Sequence, residues 1–403
     1  MEPELNVVPV LYARGTNYQV GFSIGSAFGS LIHDFLRDLP FYNKAVLPFY
    51  QLPEGRRAYE NVLQICKAQF PQYVKEIEGT ADGAGIPFYK VGIILSIPKA
   101  KPADILLISV CLHIEQLFIL HVEELMTASE LNPPPLTDLG CTDIMINKAD
   151  GVVMGHTEDA FPECFGRTYI VQAEILDKEG NVIEQFSSVA YPGLLPGYTM
   201  GFNKFGMVHS VNTVNPANRN PNGTPREFLA RALVGVKSLD EALNVLRNPG
   251  YGIADGFNLN IHFANQAGPK VVYSIEVGPS QNEKKESELD ILEVPYGDSY
   301  FHCNRYVRLP AENKQYFVAV SSDYRNETLK ALPKAQNANE MRTLLSDKSN
   351  PEWPVFRGGR GEDKGKTVMT GIFELSKKTW SIYTGPAATT TPVAVIHLNM
   401  ECH

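Results

Sequence analysis

A glycine and a cysteine, Gly140 and Cys141, stand at the head of "GCTDIMINKADGVVMGHTEDA" (residues 140–160), which closes on His156, Glu158 and Asp159. A thiol, an imidazole and two carboxylates are the groups of nucleophilic catalysis, because thiolate is the reactive form of cysteine and an adjacent base generates it. Two apolar runs about an Asp-Gly turn predict a β-hairpin turning at residues 149–151. Residues then pair when their numbers sum to about 300, so Cys141 falls opposite Asp159 to within one position. Opposed side chains on one face of a hairpin approach within ~5 Å.

Two mechanisms are open to such a cysteine. A Cys-His-acid arrangement could draw on His156, His209, His262 or His302, and nothing in the sequence ranks them. Alternatively, if the Gly140-Cys141 bond is cut, the freed α-amine of Cys141, with a reference pKa of ~7.7 to 8.0, can take the thiol proton. No histidine is then needed. Gly140, lacking a side chain, would let the thiol bend back onto its carbonyl, and an N-to-S acyl shift followed by hydrolysis would free the amine. Cys66, Cys111, Cys164, Cys303 and Cys402 are read as structural, since free cysteine is usually a small buried hydrophobe. The histidines show no ligand spacing such as HExxH, so no metal is expected, and no cofactor.

The elements that must carry this hairpin are legible as blocks. "NYQVGFSIGSAFGSLIHDFLRDL" and "YENVLQICKAQFPQYVKEIEGTADGAG" place apolar residues at helical spacing, and the first 95 or so residues read as helical throughout. "TPREFLARALVGVKSLDEALNVLRNPG" adds a helical block with Ser238 and Glu241 as a capping box and Asn-Pro-Gly as its stop. The rest is strand-like, from "YIVQAEIL" and "FGMVHSVNT" through "FNLNIHFAN" and "KVVYSIEV" to "TVMTGIFEL", "TWSIYTG" and "PVAVIHLN". Helices segregated from strands predict an α+β layered protein.

Composition sets the class. The 403 residues are 44% hydrophobic and 20% charged, and a net charge of -9 disfavours nucleic acid or an anionic membrane as partner. Six scattered cysteines without a CxxC pair fit a reducing compartment. The acidic N-terminus lacks the basic and apolar regions of a secretory signal, so a cytoplasmic protein is expected. The greasiest stretch, "ILLISVCLHIEQLFIL" (residues 105–120), is too short to cross a bilayer and reads as a buried helix.

The hairpin "GCTDIMINKADGVVMGHTEDA" resembles the nucleophile hairpin of the acyl-coenzyme A:6-aminopenicillanic acid acyltransferase family of N-terminal nucleophile hydrolases, and within it the beta-alanyl-dopamine/carcinine hydrolases. "RGTNYQVGFSIGSAFG", "FPQYVKEIEGTADGAGIPFYKV", "GFNKFGMVHSVNTVN", "PREFLARALVGVKSLDEAL" and "YFHCNRYV" follow in family order, so the resemblance runs nearly end to end. It implies a single domain over residues 1–403, a four-layer α-β-β-α sandwich of two antiparallel sheets, cleaved between Gly140 and Cys141 into chains 1–140 and 141–403 that stay paired. It also implies that Cys141 is the nucleophile of both self-cleavage and catalysis, that Asp159 orients the freed amine, and that Asn304 donates to the oxyanion, with Asn212 a second contact near it. A basic residue of the acyltransferases matches Lys364, with Lys366 as its neighbour. Where the family often has a hydroxyl two places after the cysteine, this chain has Asp143, and the apolar stretch over residues 96–116 is longer than the family pattern.

The expected activity is hydrolysis of beta-alanyl or similar acyl amides of biogenic amines, such as beta-alanyl-dopamine and carcinine. The alternatives are acyl-coenzyme A-dependent N-acyl transfer on the same fold, and an uncleaved, non-catalytic homologue.

Overall fold

The computed structural model describes residues 7–86, 115–121, 140–265, 270–280, 285–309 and 320–401. Among these residues the strands form two sheets. The larger runs, in spatial order, β1 (Val10–Gly15), β4 (Tyr169–Leu176), β5 (Val182–Ala190), β6 (Met200–Asn203), β7 (Met207–Thr213), β8 (Phe257–Phe263), β9 (Val272–Gly278) and β10 (Glu288–Val294). The smaller runs β11 (Ser299–His302), β2 (Gly140–Lys148), β3 (Gly151–Ala160), β12 (Lys366–Glu374), β13 (Thr379–Tyr383) and β14 (Ala394–His397). All pairings are antiparallel except β1 with β4.

Alternation along the strands decides what each face meets. Phe257, Leu259 and Ile261 of β8 and Ile275 and Val277 of β9 pack against helices α6 (Arg226–Leu233) and α7 (Leu239–Arg247), whose Leu229, Leu233, Ala242 and Leu246 fill the same cluster. Farther along the same sheet, α1 (Asn17–Asp38) lies on β4 and β5 through Val20, Ile24 and Phe28. A Cβ on Gly21 or Gly25 of α1 would run into the backbone of α4 (Pro71–Gly83), so these two helices meet backbone to backbone. On the far side of the smaller sheet, α8 (Val320–Ala331) and α9 (Ala338–Leu345) cover Ile144, Ile146 and Ile372 with Leu329, Met341 and Leu345. Each such aliphatic side chain contributes roughly 1.5–3 kcal/mol on burial. Between the sheets, Met145, Met154, Met200, Phe202, Phe373 and Trp380 share one core. The layers are therefore helix, sheet, sheet, helix, as the sequence predicts.

Other parts differ from expectation. β1 lies in the stretch read as helical, because its partner is β4, far along the chain, and a parallel pairing leaves no local signal. The second expected helix is two, α3 (Pro53–Gln69) and α4, divided at Phe70 where Pro71 starts a new helix. Ser238 caps α7 through Glu241 N–H, but the capping box is not reciprocal, since the Glu241 carboxylate accepts from Lys237 N–H instead, and Asn248 ends the helix in the left-handed conformation with φ 46°. Of the apolar stretch at residues 105–120, only a short helix, Glu115–Leu120, lies among the described residues. No helix among the described residues is long and apolar enough to cross a membrane.

Candidate active site

The hairpin forms with Lys148 opposite Gly151, and the pairs then follow as Asp143 with His156, Cys141 with Glu158 and Gly140 with Asp159. Numbers therefore sum to 299, one short of the expected register. Because side chains alternate, that single step decides which acid shares the face of the thiol. It is Glu158, and Asp159 lies on the opposite face.

The inward face carries a buried chain of polar groups. Cys141 Sγ lies 3.6 Å from Glu158 Oε1, which also accepts from Tyr191 Oη at 2.5 Å. Glu158 Oε2 meets His156 Nε2 at 3.0 Å, and His156 Nδ1 meets Asp143 Oδ2 at 2.9 Å. Asp143 in turn accepts from Ser210 Oγ and, at 2.6 Å, from Asn212 Nδ2, whose own Oδ1 accepts from Asn258 and Asn260. Every member of the chain is buried except Tyr191, which is half-buried. Burial alone would discharge His156, but the charge of Asp143 and hydrogen bonds with Asp143, Cys141 and Glu158 outweigh it and hold the ring well above its usual range, as imidazolium. Burial and the charge of Glu158 push the Cys141 thiol up to about 12, against the opposing pull of His156.

The backbone of Cys141 is held from the other side of the strand. Its N–H donates to Asn304 Oδ1 at 2.9 Å, and its carbonyl accepts from Arg325 Nη1 at 2.7 Å. Arg325, fully buried on α8, also donates to Thr142 Oγ1 at 2.7 Å and to Asn304 Oδ1 at 2.8 Å. Asn304 Nδ2 donates to the Thr213 carbonyl at 2.9 Å, so Asn304 ties both sheets to the cysteine. Asp159 Oδ1 accepts from Thr367 Oγ1 at 2.6 Å, and its Oδ2 lies 3.8 Å from Arg325 Nη1. Burial raises its pKa to about 6 against the pull of Arg357 and Arg325. Gly140 is demanded by this packing, since a Cβ there would run into the Asn304 side chain and Arg325.

The residues singled out from the sequence thus divide. Cys141, Gly140 and Asn304 meet directly, and Asp159 sits beside them through Arg325 and Thr367 without touching the Cys141 nitrogen. Asn212 reaches the thiol only through Asp143, His156 and Glu158, because its strand belongs to the opposite sheet. Lys364 joins none of these groups: it is exposed and its ammonium meets the Gly361 carbonyl in a surface turn. Lys366 lies with its ammonium 3.8 Å from the Phe165 ring centroid. The cations that do reach the site are Arg325, and through Asp159 also Arg357, which pairs with Asp363. No local motif flags them. Glu158 was within reach of sequence reasoning had the hairpin turn been placed on residues 149 and 150. Of the four histidines, the structure brings His156 to the thiol, while His209 meets the Gly197 carbonyl, His262 the Val271 carbonyl and His302 the Glu276 carboxylate.

Cys141 Sγ, a ring nitrogen of His156 and a Glu158 oxygen lie within 4.8 Å of one another, close enough to share a metal ion. Binding one there would require His156 to give up the proton that two carboxylates hold on it. Cys66, Cys164 and Cys303 are free and buried, as expected of structural cysteines, while Cys111 and Cys402 lie outside the described residues.

Comparison with known proteins places the chain among relatives. The chain is 36% identical over 399 residues to the beta-alanyl-dopamine/carcinine hydrolase of Drosophila melanogaster, covering 97% of this chain and 96% of that one. A solved penicillin V acylase from Agrobacterium tumefaciens aligns over 63% of this chain and 84% of its own with 13% identity and a TM-score of 0.36, a likeness too slight to set fold or function. Residues 146–388, more than half of the chain, match the profile of acyl-coenzyme A:6-aminopenicillanic acid acyl-transferase. The chain belongs to that family.

Proposed function

We propose that this chain, an amide-hydrolysing enzyme of the family, cuts itself between Gly140 and Cys141 and then uses the Cys141 thiol to hydrolyse acyl amides of amines. The observation that carries this reading is the seating of Cys141: its thiol is buried against Glu158 and His156, and the N–H that cleavage would turn into an amine is already held by Asn304. Within such a site the α-amine takes the thiol proton and the sulfur attacks the substrate carbonyl. The amine then hands that proton to the departing amine, and water releases the acyl group from the thioester. Asn304, whose Oδ1 also accepts from Arg325, and Arg325 itself are the polar groups that hold the Cys141 backbone at the reacting centre. The name of the Drosophila relative, beta-alanyl-dopamine/carcinine hydrolase, supports beta-alanyl-dopamine and carcinine as the substrates.

Intact mass of the purified protein beside Cys141→Ala tests this. Two wild-type chains, 1–140 and 141–403, a single chain for the variant, and amine release from carcinine by wild type alone are expected. A wild type that stays whole sinks the reading and leaves an uncleaved, non-catalytic homologue. The family's description favours one second reading, acyl transfer from coenzyme A, which predicts amide synthesis from a thioester and a free amine with no hydrolysis of the amide.

A further inference from the structure

Self-cleavage faces a difficulty that the mature enzyme does not: in the intact chain the Cys141 nitrogen is an amide, donating to Asn304, and cannot act as a base. Burial holds the thiol protonated far above neutral pH. The groups facing it are Glu158 and His156 from β3, Asp143 from its own strand, and Tyr191 just after β5, with Arg325 and Asp159 on the far side of the strand. The His156 imidazolium donates from Nδ1 to Asp143 and from Nε2 to Glu158, so it has no lone pair to offer. Asp143 reaches the sulfur only through His156 and Glu158. Glu158 remains: its Oε1, which also accepts from Tyr191, is the carboxylate oxygen in contact with the sulfur, at 3.6 Å.

Building on the proposed self-cleavage, we infer that Glu158 is the base of that step: it takes the Cys141 thiol proton, while the His156 imidazolium, anchored by Asp143, holds Glu158 in place and faces the thiolate. The S–H bond breaks and its proton passes to the carboxylate. Sulfur then bonds to the Gly140 carbonyl carbon, the carbon–nitrogen bond breaks, and the protonated Glu158 returns the proton to the leaving Cys141 nitrogen. Water adds to the thioester carbon, sulfur leaves with a proton, and a carboxylate ends the first chain. Two bases therefore serve one nucleophile in succession, Glu158 before cleavage and the α-amine after it. His156 and Asp143 are positioning residues.

Cell-free synthesis of the full chain, chased on a gel for the appearance of the two fragments, tests this. Wild type is expected to split, and Glu158→Gln, which keeps shape and hydrogen-bonding capacity but is no base, to split at least about a hundredfold more slowly, the scale of general-base catalysis. Formate added to Glu158→Ala is expected to restore cleavage in proportion to its concentration, which a merely structural role for the side chain would not produce. Cleavage of Glu158→Gln at the wild-type rate overturns the assignment. Should the variants fail to fold, the wild-type chase across pH decides: a rate falling about tenfold per pH unit on the acid side supports a carboxylate base, and a rate that only climbs above pH 7.5, as for a thiol ionising unaided, overturns it. A wild type that never splits instead overturns the self-cleavage reading itself.

Discussion

Cys141 pairs directly across the hairpin with Glu158, while Asp159, one residue on, faces the other side of the sheet. The two carboxylates are neighbours in sequence but sit in different environments, one with an imidazolium and a phenol, the other with a threonine hydroxyl and two guanidinium groups. One backbone step separates a group that touches the sulfur from a group that lies on the far side of the strand.

Gly140→Ala is expected to leave the protein as one chain. Its methyl would run into Asn304 and Arg325, the two residues that hold the backbone of Cys141. Overpacking of this kind costs about 1–3 kcal/mol, so a lowered melting temperature together with a single intact mass is the expected result. Normal cleavage would show that the crowding relaxes easily.

Asn304→Ala removes the acceptor shared by the Cys141 N–H and Arg325. Leaving buried donors unpaired costs about 1–3 kcal/mol each. If Asn304 also donates to the oxyanion after cleavage, kcat for amide hydrolysis in any processed material falls roughly 10²–10³-fold with little change in KM. A change confined to KM would place Asn304 in substrate binding instead.

Asp159 sets a pH dependence whose sign is unusual for an acid. Its folded pKa, about 6, lies above the ordinary 3.8 of a free aspartate, so the native state binds the extra proton and stability falls as pH rises through that window. The loss is on the order of 3 kcal/mol. His156 acts in the same direction, its folded pKa lying above 6.5: its contribution is fully present below pH ~6.5 and is lost only as pH passes its higher folded value. Urea unfolding at pH 4 and pH 7 should therefore show Asp159→Asn gaining on wild type at the higher pH. Parallel curves at both pH values would contradict the assignment.

Lys364→Ala and Arg325→Ala distinguish the basic residue suggested by family resemblance from the one in contact with Cys141. Lys364 is exposed, and its loss is expected to change stability by less than about 0.5 kcal/mol and leave hydrolysis within about twofold. Arg325→Ala strips partners from the Cys141 carbonyl, Thr142 and Asn304 at once, and both cleavage and hydrolysis should be lost. Carcinine turnover by the two variants, read beside their intact masses, checks both expectations.

The sequence alone carried the segregation of helices from strands, the strands β2 and β3 as a hairpin, the Ser238 cap of α7, and Cys141 behind Gly140, because each rests on periodicity or turn chemistry within a few residues. It also placed Asn304 near the cysteine, through family resemblance. Only the tertiary structure decided the rest. β1 is a strand because β4 accepts it, His156 outranks the other three histidines because Asp143 and Glu158 close on it, and Arg325 replaces Lys364 because α8 packs over the outer face of β2. Even Glu158 against Asp159 turned on one residue of register, since a pleated strand sends neighbours to opposite faces and the turn that fixes the count is set by the folded hairpin. Local chemistry singled out Cys141; contacts between residues distant in sequence chose its partners.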